Sequence, residues 1–287
     1  MCGSAGKLDL TEKPPGSHPA WWVQCWVCPN GREYTAALRD AVGVAASLIL
    51  DDPLRYLAAW LTTNGHRRSA PQPPPTEATV DGWRSGLLAS PDGLRYLIQE
   101  RGLTLETIKR YELGYDQDHH AVTFPVRDED GALVNVRRRR LNPNARPKIV
   151  GLARPASIYP LGILADDPAA LVICEGELDC LLLNQHGIPA LTGTAGTTWK
   201  DEWSAYIVGR QVAVMYDAGS HELATRRASG LRAAGARDAW PVDLSRAGLE
   251  HGEDVGDWFV TYGRSARELR RFINGSRRCR REATHGD

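Results

Sequence analysis

Apolar and polar positions change rhythm along this chain. Between residues 168 and 242, four short apolar runs (171–174, 190–192, 211–216 and 239–242) alternate with stretches of helical spacing (178–186, 199–208 and 222–234). Short runs that are apolar on both faces, separated by helices, predict a parallel sheet covered on each side. Upstream, 121–127 and 132–137 flank Asp128-Glu129-Asp130-Gly131, the pattern of a hairpin with an Asp-Gly turn. Helical spacing also marks 83–101, where Ser90-Pro91 supplies an N-cap and a proline at the first helical position. A second short helix follows Thr104. Near the start, Trp21-Trp22-Val23-Gln24 reads as a strand, 34–50 as a helix, and Asp51-Asp52-Pro53 as the beginning of another over 54–61. Residues 265–273 close the series as a helix, and those beyond it read as disordered.

A run of prolines between His66 and Thr76 interrupts the series and predicts an extended linker. The expected division is a small zinc-ribbon-like module with helices at 1–65 and a linker at 66–80. A mixed α+β subdomain at 81–165, an α/β sheet domain at 166–262 and a basic tail at 263–287 follow. Hydrophobic content of 42% and charged content of 24% are those of an ordinary globular chain. No apolar run reaches the ~18 residues of a membrane span, so no membrane partner is expected. The N-terminus has no signal-peptide core. Six cysteines in 287 residues do not make a disulfide scaffold, which points to a reducing cytoplasm. Formal net charge is zero, but arginine gathers at 137–140 and 264–281, and acids around 166–179 and 250–257.

These clusters carry the candidate chemistry. Glu175 ends the apolar run 171–174, and Asp179 falls in the first turn of the next helix. Ligands collect at the carboxyl ends of strands in open α/β sheets, and carboxylates there are natural Mg²⁺ ligands; the alternative is that the two acids cap the helix. Asp217 ends a later strand, and Asp254 and Asp257 lie on the loop entering the last helix. Like charges converging on one side of a sheet are costly unless a cation neutralises them. Arg137 to Arg140 alternate between strand faces, so at least one pair should be exposed. Their forks suit phosphates, although an edge strand guarded by charge has the same pattern. Thr192-Gly193-Thr194 is a glycine-bearing turn whose amides suit a phosphate. Cys25-x-x-Cys28 has the spacing of one zinc knuckle. Cys2 would end the second half, with its companion just upstream of Met1, and His18 is the substitute ligand; the alternative is a small β-module with unligated cysteines. Cys174 and Cys180 read as core, and the arginine-rich tail as either a nucleic-acid contact or a solvated end.

In this order the motifs resemble the Toprim fold of primases and topoisomerases. The Glu-Gly-x-x-Asp box matches Glu175-Gly176-Glu177-Leu178-Asp179, Asp217 matches the strand-end acid, and Asp254 and Asp257 match the later pair. Asp-Glu-Asp-Gly, Val-Arg-Arg-Arg-Arg, Lys148, Ile158-Tyr159-Pro160-Leu161 and Thr192-Gly193-Thr194 fall in the order seen in phage primase-helicases and bacterial replicative primases. The resemblance spans residues ~20–262. It implies a Toprim-like parallel sheet flanked by helices, preceded by a mixed primase subdomain and a zinc-ribbon-like module. It further implies synthesis of short RNA primers on single-stranded DNA from ribonucleoside triphosphates. Glu175 and Asp217 would be catalytic, and Glu175, Asp179, Asp217, Asp254 and Asp257 would hold Mg²⁺ or Mn²⁺. Cys2, Cys25 and Cys28 would hold Zn²⁺. Arg138, Arg140, Lys148, Gly176 and Gly193 would contact template or nucleotide. With no G-x-x-x-x-G-K-[ST] loop, a replicative helicase would be a separate chain. A nuclease using the same acids and a DNA-binding accessory protein are the alternatives. The departure is Asp217-Ala218-Gly219: the family's second aspartate is here Gly219, with His221 and Glu222 as nearby substitutes.

Overall fold

The structure, a computed structural model, describes residues 8–12, 21–25, 73–153, 156–194 and 199–283. It comprises two units, Met1–Ala70 and Pro71–Asp287. In the first, β1 (Leu8–Glu12) pairs antiparallel with β2 (Trp21–Cys25), Leu8 opposite Cys25. The helices expected over 34–50 and 54–61 lie outside the described residues, as do Cys2, His18 and Cys28.

The second unit opens earlier than the proline pattern predicted. Helix α1 (Glu77–Leu88) starts inside the stretch expected to be linker, because Thr76 caps it by accepting the Thr79 N–H at 3.2 Å. Helix α2 (Pro91–Leu94) is capped by Ser90 and continues into a π-helical turn, Arg95–Glu100. Thr104 caps α3 (Leu105–Arg110). These helices cover a four-stranded antiparallel sheet in the order β3 (Gly114–Asp116), β4 (Ala121–Arg127), β5 (Leu133–Arg140), β6 (Ile149–Gly151). The arginine strand β5 is paired on both sides, so it is not an edge strand. Its four arginines are all partly buried, which corrects the expectation of an exposed pair.

A five-stranded sheet follows, in the order β11 (Asp238–Val242), β10 (Gln211–Met215), β8 (Ala170–Ile173), β9 (Ala190–Gly193), β7 (Ile158–Tyr159). Four of these strands run parallel; β7 adds antiparallel at the edge, which the alternation of strands and helices did not foretell. Helices α4 (Glu177–Gln185) and α6 (Ala266–Ala283) supply Cys180, Leu183, Leu269 and Ile273 to the core on one face. Helix α5 (His221–Ala233) supplies Ala224, Ala228 and Leu231 on the other. The expected helix over 199–208 is a 3-10 segment, Asp201–Ile207, and α6 extends well beyond its predicted end at 273.

Helix α4 joins the two sheets. Its Leu178, Leu181 and Leu182 enter the core beneath α1–α3 beside Phe124 and Tyr159. The Gln185 carboxamide accepts from the Thr104 N–H (2.7 Å) and donates to the Gly102 carbonyl (2.9 Å). Arg137 on β5 donates through Nε to Glu177 in the first turn of α4, at 2.7 Å, with side chains only 13% and 8% exposed. Among the described residues no helix is long and apolar enough to cross a membrane.

Candidate metal and nucleotide site

The parallel strands β8 and β10 end at the same level, and each releases a carboxylate: Glu175 after β8, Asp217 after β10. Asp179 follows one turn into α4, where its Oδ2 accepts the Gly176 N–H at 3.1 Å. It therefore caps the helix and also faces the acid cluster; the two readings of its role hold together. Asp254 arrives from the loop after β11. That loop is fastened to the strand-end loop of β10 by two backbone bonds, Ala218 N–H to the Glu253 carbonyl (2.8 Å) and Gly252 N–H to the Ala218 carbonyl (2.9 Å).

Crowding of these acids shows in their proton affinities. Loss of hydration, then Glu175 and Asp254, pushes Asp217 up to about 7. Loss of hydration, then Asp254 and Asp217, holds Asp179 well above the usual carboxylate range. Glu175 is raised by burial and by Asp254. The nearby cation is Arg101, whose Nη1 is 4.0 Å from Asp254 Oδ2. Four carboxylates against one guanidinium leave a surplus of negative charge.

Asp257 also has a structural role. Its Oδ2 accepts the Asp254 N–H (3.0 Å), its Oδ1 accepts the Thr261 hydroxyl (2.9 Å), and Asp254 Oδ1 accepts the Asp257 N–H (3.2 Å). This is a reciprocal cap that starts the π-helical turn Asp257–Thr261 and aims Asp254. The Asp-x-x-Asp spacing was the available sequence signal. Among the described residues, no three His, Cys, Asp or Glu side chains stand close enough to cage an ion by themselves. The all-oxygen donor set nevertheless fits Mg²⁺ or Mn²⁺, which take one or two carboxylates and complete their shells with water and phosphate oxygens.

Gly219 adopts φ +93°, and a Cβ built there would stand 3.2 Å from the His251 ring. An aspartate is therefore disfavoured on two counts, backbone and space. Of the proposed substitutes, Glu222 is 91% exposed beside Arg226, and His221 buries its Nδ1 3.9 Å from Asp243. Cys174 and Cys180 are buried free thiols in the core, with Sγ atoms 2.8 Å apart.

The arginines divide. Arg138 is bound to the buried Asp116 and lies over the Trp83 ring, 5.7 Å from its centroid. With 12% of its side chain exposed it is committed to packing β5 on β3 and α1. Arg139 lies over Tyr96 at 5.9 Å. Arg140 makes no ion pair within 4 Å among the described residues, and Lys148 is exposed. Glu177 and Asp116 were the residues the sequence reading missed. Both are carboxylates buried in order to hold β5. Gly193 ends β9, its strand partner being Ile158, and Thr192 Oγ1 donates to the Glu175 carbonyl at 3.0 Å, fixing the strand-end loop. Cys25 ends β2 opposite Leu8; the rest of the zinc set lies outside the described residues.

The fold class these two sheets define is that of bacterial primase cores. The Aquifex aeolicus primase (zinc-binding and RNA polymerase domains) superposes with a TM-score of 0.58 over 95% of this chain and 80% of that one, at 16% identity. The Escherichia coli primase catalytic core gives 0.53 over 70% and 78%, at 17% identity. A DnaG primase catalytic domain bound to single-stranded DNA gives 0.52 over 70% and 79%, at 18% identity. In sequence, a DNA primase of Legionella pneumophila is 25% identical over 126 residues, 41% of this chain. The chain spans about a fifth (21%) of that relative's length. No family model matches. The likeness to DNA primases read from the motifs thus holds in both sequence and fold.

Proposed function

We propose that this chain is a Toprim-type primase that makes short RNA primers on single-stranded DNA by metal-dependent nucleotidyl transfer. The observation that carries the reading is the convergence of Glu175, Asp179, Asp217 and Asp254 at the ends of β8 and β10, on the fold of primase cores. A bound Mg²⁺ or Mn²⁺ would supply charge neutralisation for the triphosphate and the departing pyrophosphate. Asp217 and Asp254 are the carboxylates that would hold it, with Asp257 orienting Asp254. Glu175, its proton affinity raised by burial, would take the proton of the attacking hydroxyl. Arg140 and Lys148 offer unpaired positive charge for template or nucleotide phosphates. Phosphodiester synthesis needs positioning and charge neutralisation more than covalent catalysis, which suits this set of groups. A zinc-ribbon module holding Zn²⁺ through Cys25 and Cys28, cytoplasmic residence and a separate helicase complete the proposal.

Gly219 favours one second reading, a DNA-binding replication accessory whose metal site is weakened. Single-stranded DNA, Mg²⁺ or Mn²⁺ and labelled ribonucleotides, incubated with the chain and with Glu175→Gln, separate the two. Short products lost in the variant support the primase. DNA shortening lost in the variant indicates a nuclease. DNA binding without either, unchanged in the variant, indicates the accessory.

A further inference from the structure

Helix α6 buries one side and leaves the other to solvent. Leu269 and Ile273 are packed against the parallel sheet, the Trp240 Nε1–H donates to the Ile273 carbonyl (3.0 Å), and Arg277 pairs with Asp238 at 2.8 Å. Arg270 donates to the carbonyls of His186 and Gly187 at the end of α4. These contacts fix how the helix is rotated. At 3.6 residues per turn, Arg267, Arg271, Asn274 and Arg278 then fall within about 60° of arc on the opposite side, over a length of roughly 16 Å. All four are exposed. Among the described residues, no carboxylate lies within 4 Å of any of the three arginines. Glu268, the one acid on this helix with a described side chain, is turned back on Ser265 (2.6 and 2.8 Å).

Local physics accounts for only part of this stripe: Glu268 attracts Arg271 across one turn, although no salt bridge forms between them, and Arg267 and Arg278 have no such partner among the described residues. Arg267 is in the first turn, where the helix dipole disfavours a cation. Arg267 and Arg271 stand four apart, a spacing at which like charges repel. Helix stability would be better served by glutamate at the first position. Counter-charge from outside the chain removes both penalties. A row of unpaired guanidiniums along one line matches a phosphodiester backbone better than a single bound ion.

We infer that Arg267, Arg271 and Arg278 form a second nucleic-acid contact, distinct from the carboxylate site, that grips the sugar-phosphate backbone without reading bases. The inference rests on the proposal that this chain acts on DNA, but it concerns binding and not chemistry. The test is fluorescence anisotropy with a labelled oligonucleotide, single-stranded or duplex, over a salt series. The full chain is compared with Arg267→Gln/Arg271→Gln/Arg278→Gln and with Asn274→Lys. Each phosphate contact contributes about 0.7 to the log–log salt slope on a single strand and about 0.9 on a duplex. The triple variant is therefore expected to flatten the slope by roughly 2 on a single strand, or by nearly 3 if the duplex is the ligand. Asn274→Lys is expected to steepen it by somewhat under 1, an increase that a folding defect would not produce. Unchanged slopes in both variants overturn the proposal. So does a triple variant that binds DNA normally but loses affinity for phosphatidylserine vesicles. The expected slope changes in both variants, with no primer synthesis from any form, would support the contact and count against the catalytic reading alone.

Discussion

Removing Arg137 tests how the two sheets are held together. The Arg137 Nε–Glu177 Oε1 distance is 2.7 Å, and both side chains are almost fully covered. Arg137→Ala deletes a cation from β5 and strands the Glu177 carboxylate at the start of α4, where water cannot fully solvate it. Breaking a buried pair from one side costs about 3–5 kcal/mol. At about 2–4 °C per kcal/mol for a domain of this size, melting should fall by roughly 6–20 °C. Replacing both partners by apolar residues of similar volume, Arg137→Met/Glu177→Leu, should recover most of the loss, because it removes the stranded charge. Urea unfolding of the two single variants and the double completes a cycle. A cost below about 1 kcal/mol for Arg137→Ala, or a double variant as unstable as the sum of the singles, would refute the argument. Glu177 also starts the helix turn that follows Glu175 and Gly176, so the same variant should lower metal affinity along with stability.

The other predictions concern the site directly. Asp217 keeps its proton to about pH 7 in the folded chain but releases it near pH 4 when unfolded. Ion-free stability therefore declines from about pH 4 to pH 7 and levels off above. Since cation and proton compete, the melting-temperature gain on adding Mg²⁺ should be small at low pH and grow through neutrality; a gain independent of pH would contradict the clustering. Arg138→Ala should cost up to about 3 kcal/mol by leaving the buried Asp116 with only the exposed His119 beside it, at 3.2 Å, with little change in DNA affinity once folded. Arg140→Ala should do the reverse, as read by anisotropy and urea unfolding side by side. Gly219→Asp should destabilise by about 1–3 kcal/mol and leave primer synthesis no higher, because the backbone at φ +93° and the His251 ring both oppose the side chain. A gain in synthesis would show that the loop accommodates a second acid.

Much of the parallel sheet was legible because buried strands and covering helices leave opposite periodicities in the sequence. The strand ends, and so Glu175 and Asp217, followed within a residue or two. What could not be read was pairing across long separations. Strand β7 is two residues long and carries no period of its own. That β5 is an inner strand depends on β6, a three-residue strand after a proline-rich loop. Asp116 and Glu177 carried no signal of their burial, since nothing local says that an arginine 22 or 40 positions away will cover them. Asp257 shows a different limit: capping and metal binding use the same residue type at the same kind of position, and only the structure's hydrogen bonds reveal that it caps Asp254.

That ambiguity bears on how a chain of zero net charge would bind a polyanion. The cluster Arg137–Arg140 looked like the phosphate-binding element, yet two of its four charges are spent on Glu177 and Asp116, and a third lies over an aromatic ring. A charge neutralised at under 3 Å contributes little to a long-range field. The strand therefore offers about one free cation where at least an exposed pair was expected. The acid cluster nearby repels phosphate until a divalent ion neutralises it. Template affinity in this fold would then draw on cations that the core does not use, and among the described residues those include Arg140, Lys148 and the open side of α6. Binding should accordingly respond to exposed arginines far from the carboxylates, while chemistry responds to the carboxylates with little change in binding. Separating the two responses by mutation tells whether the buried arginines organise the fold or hold the DNA.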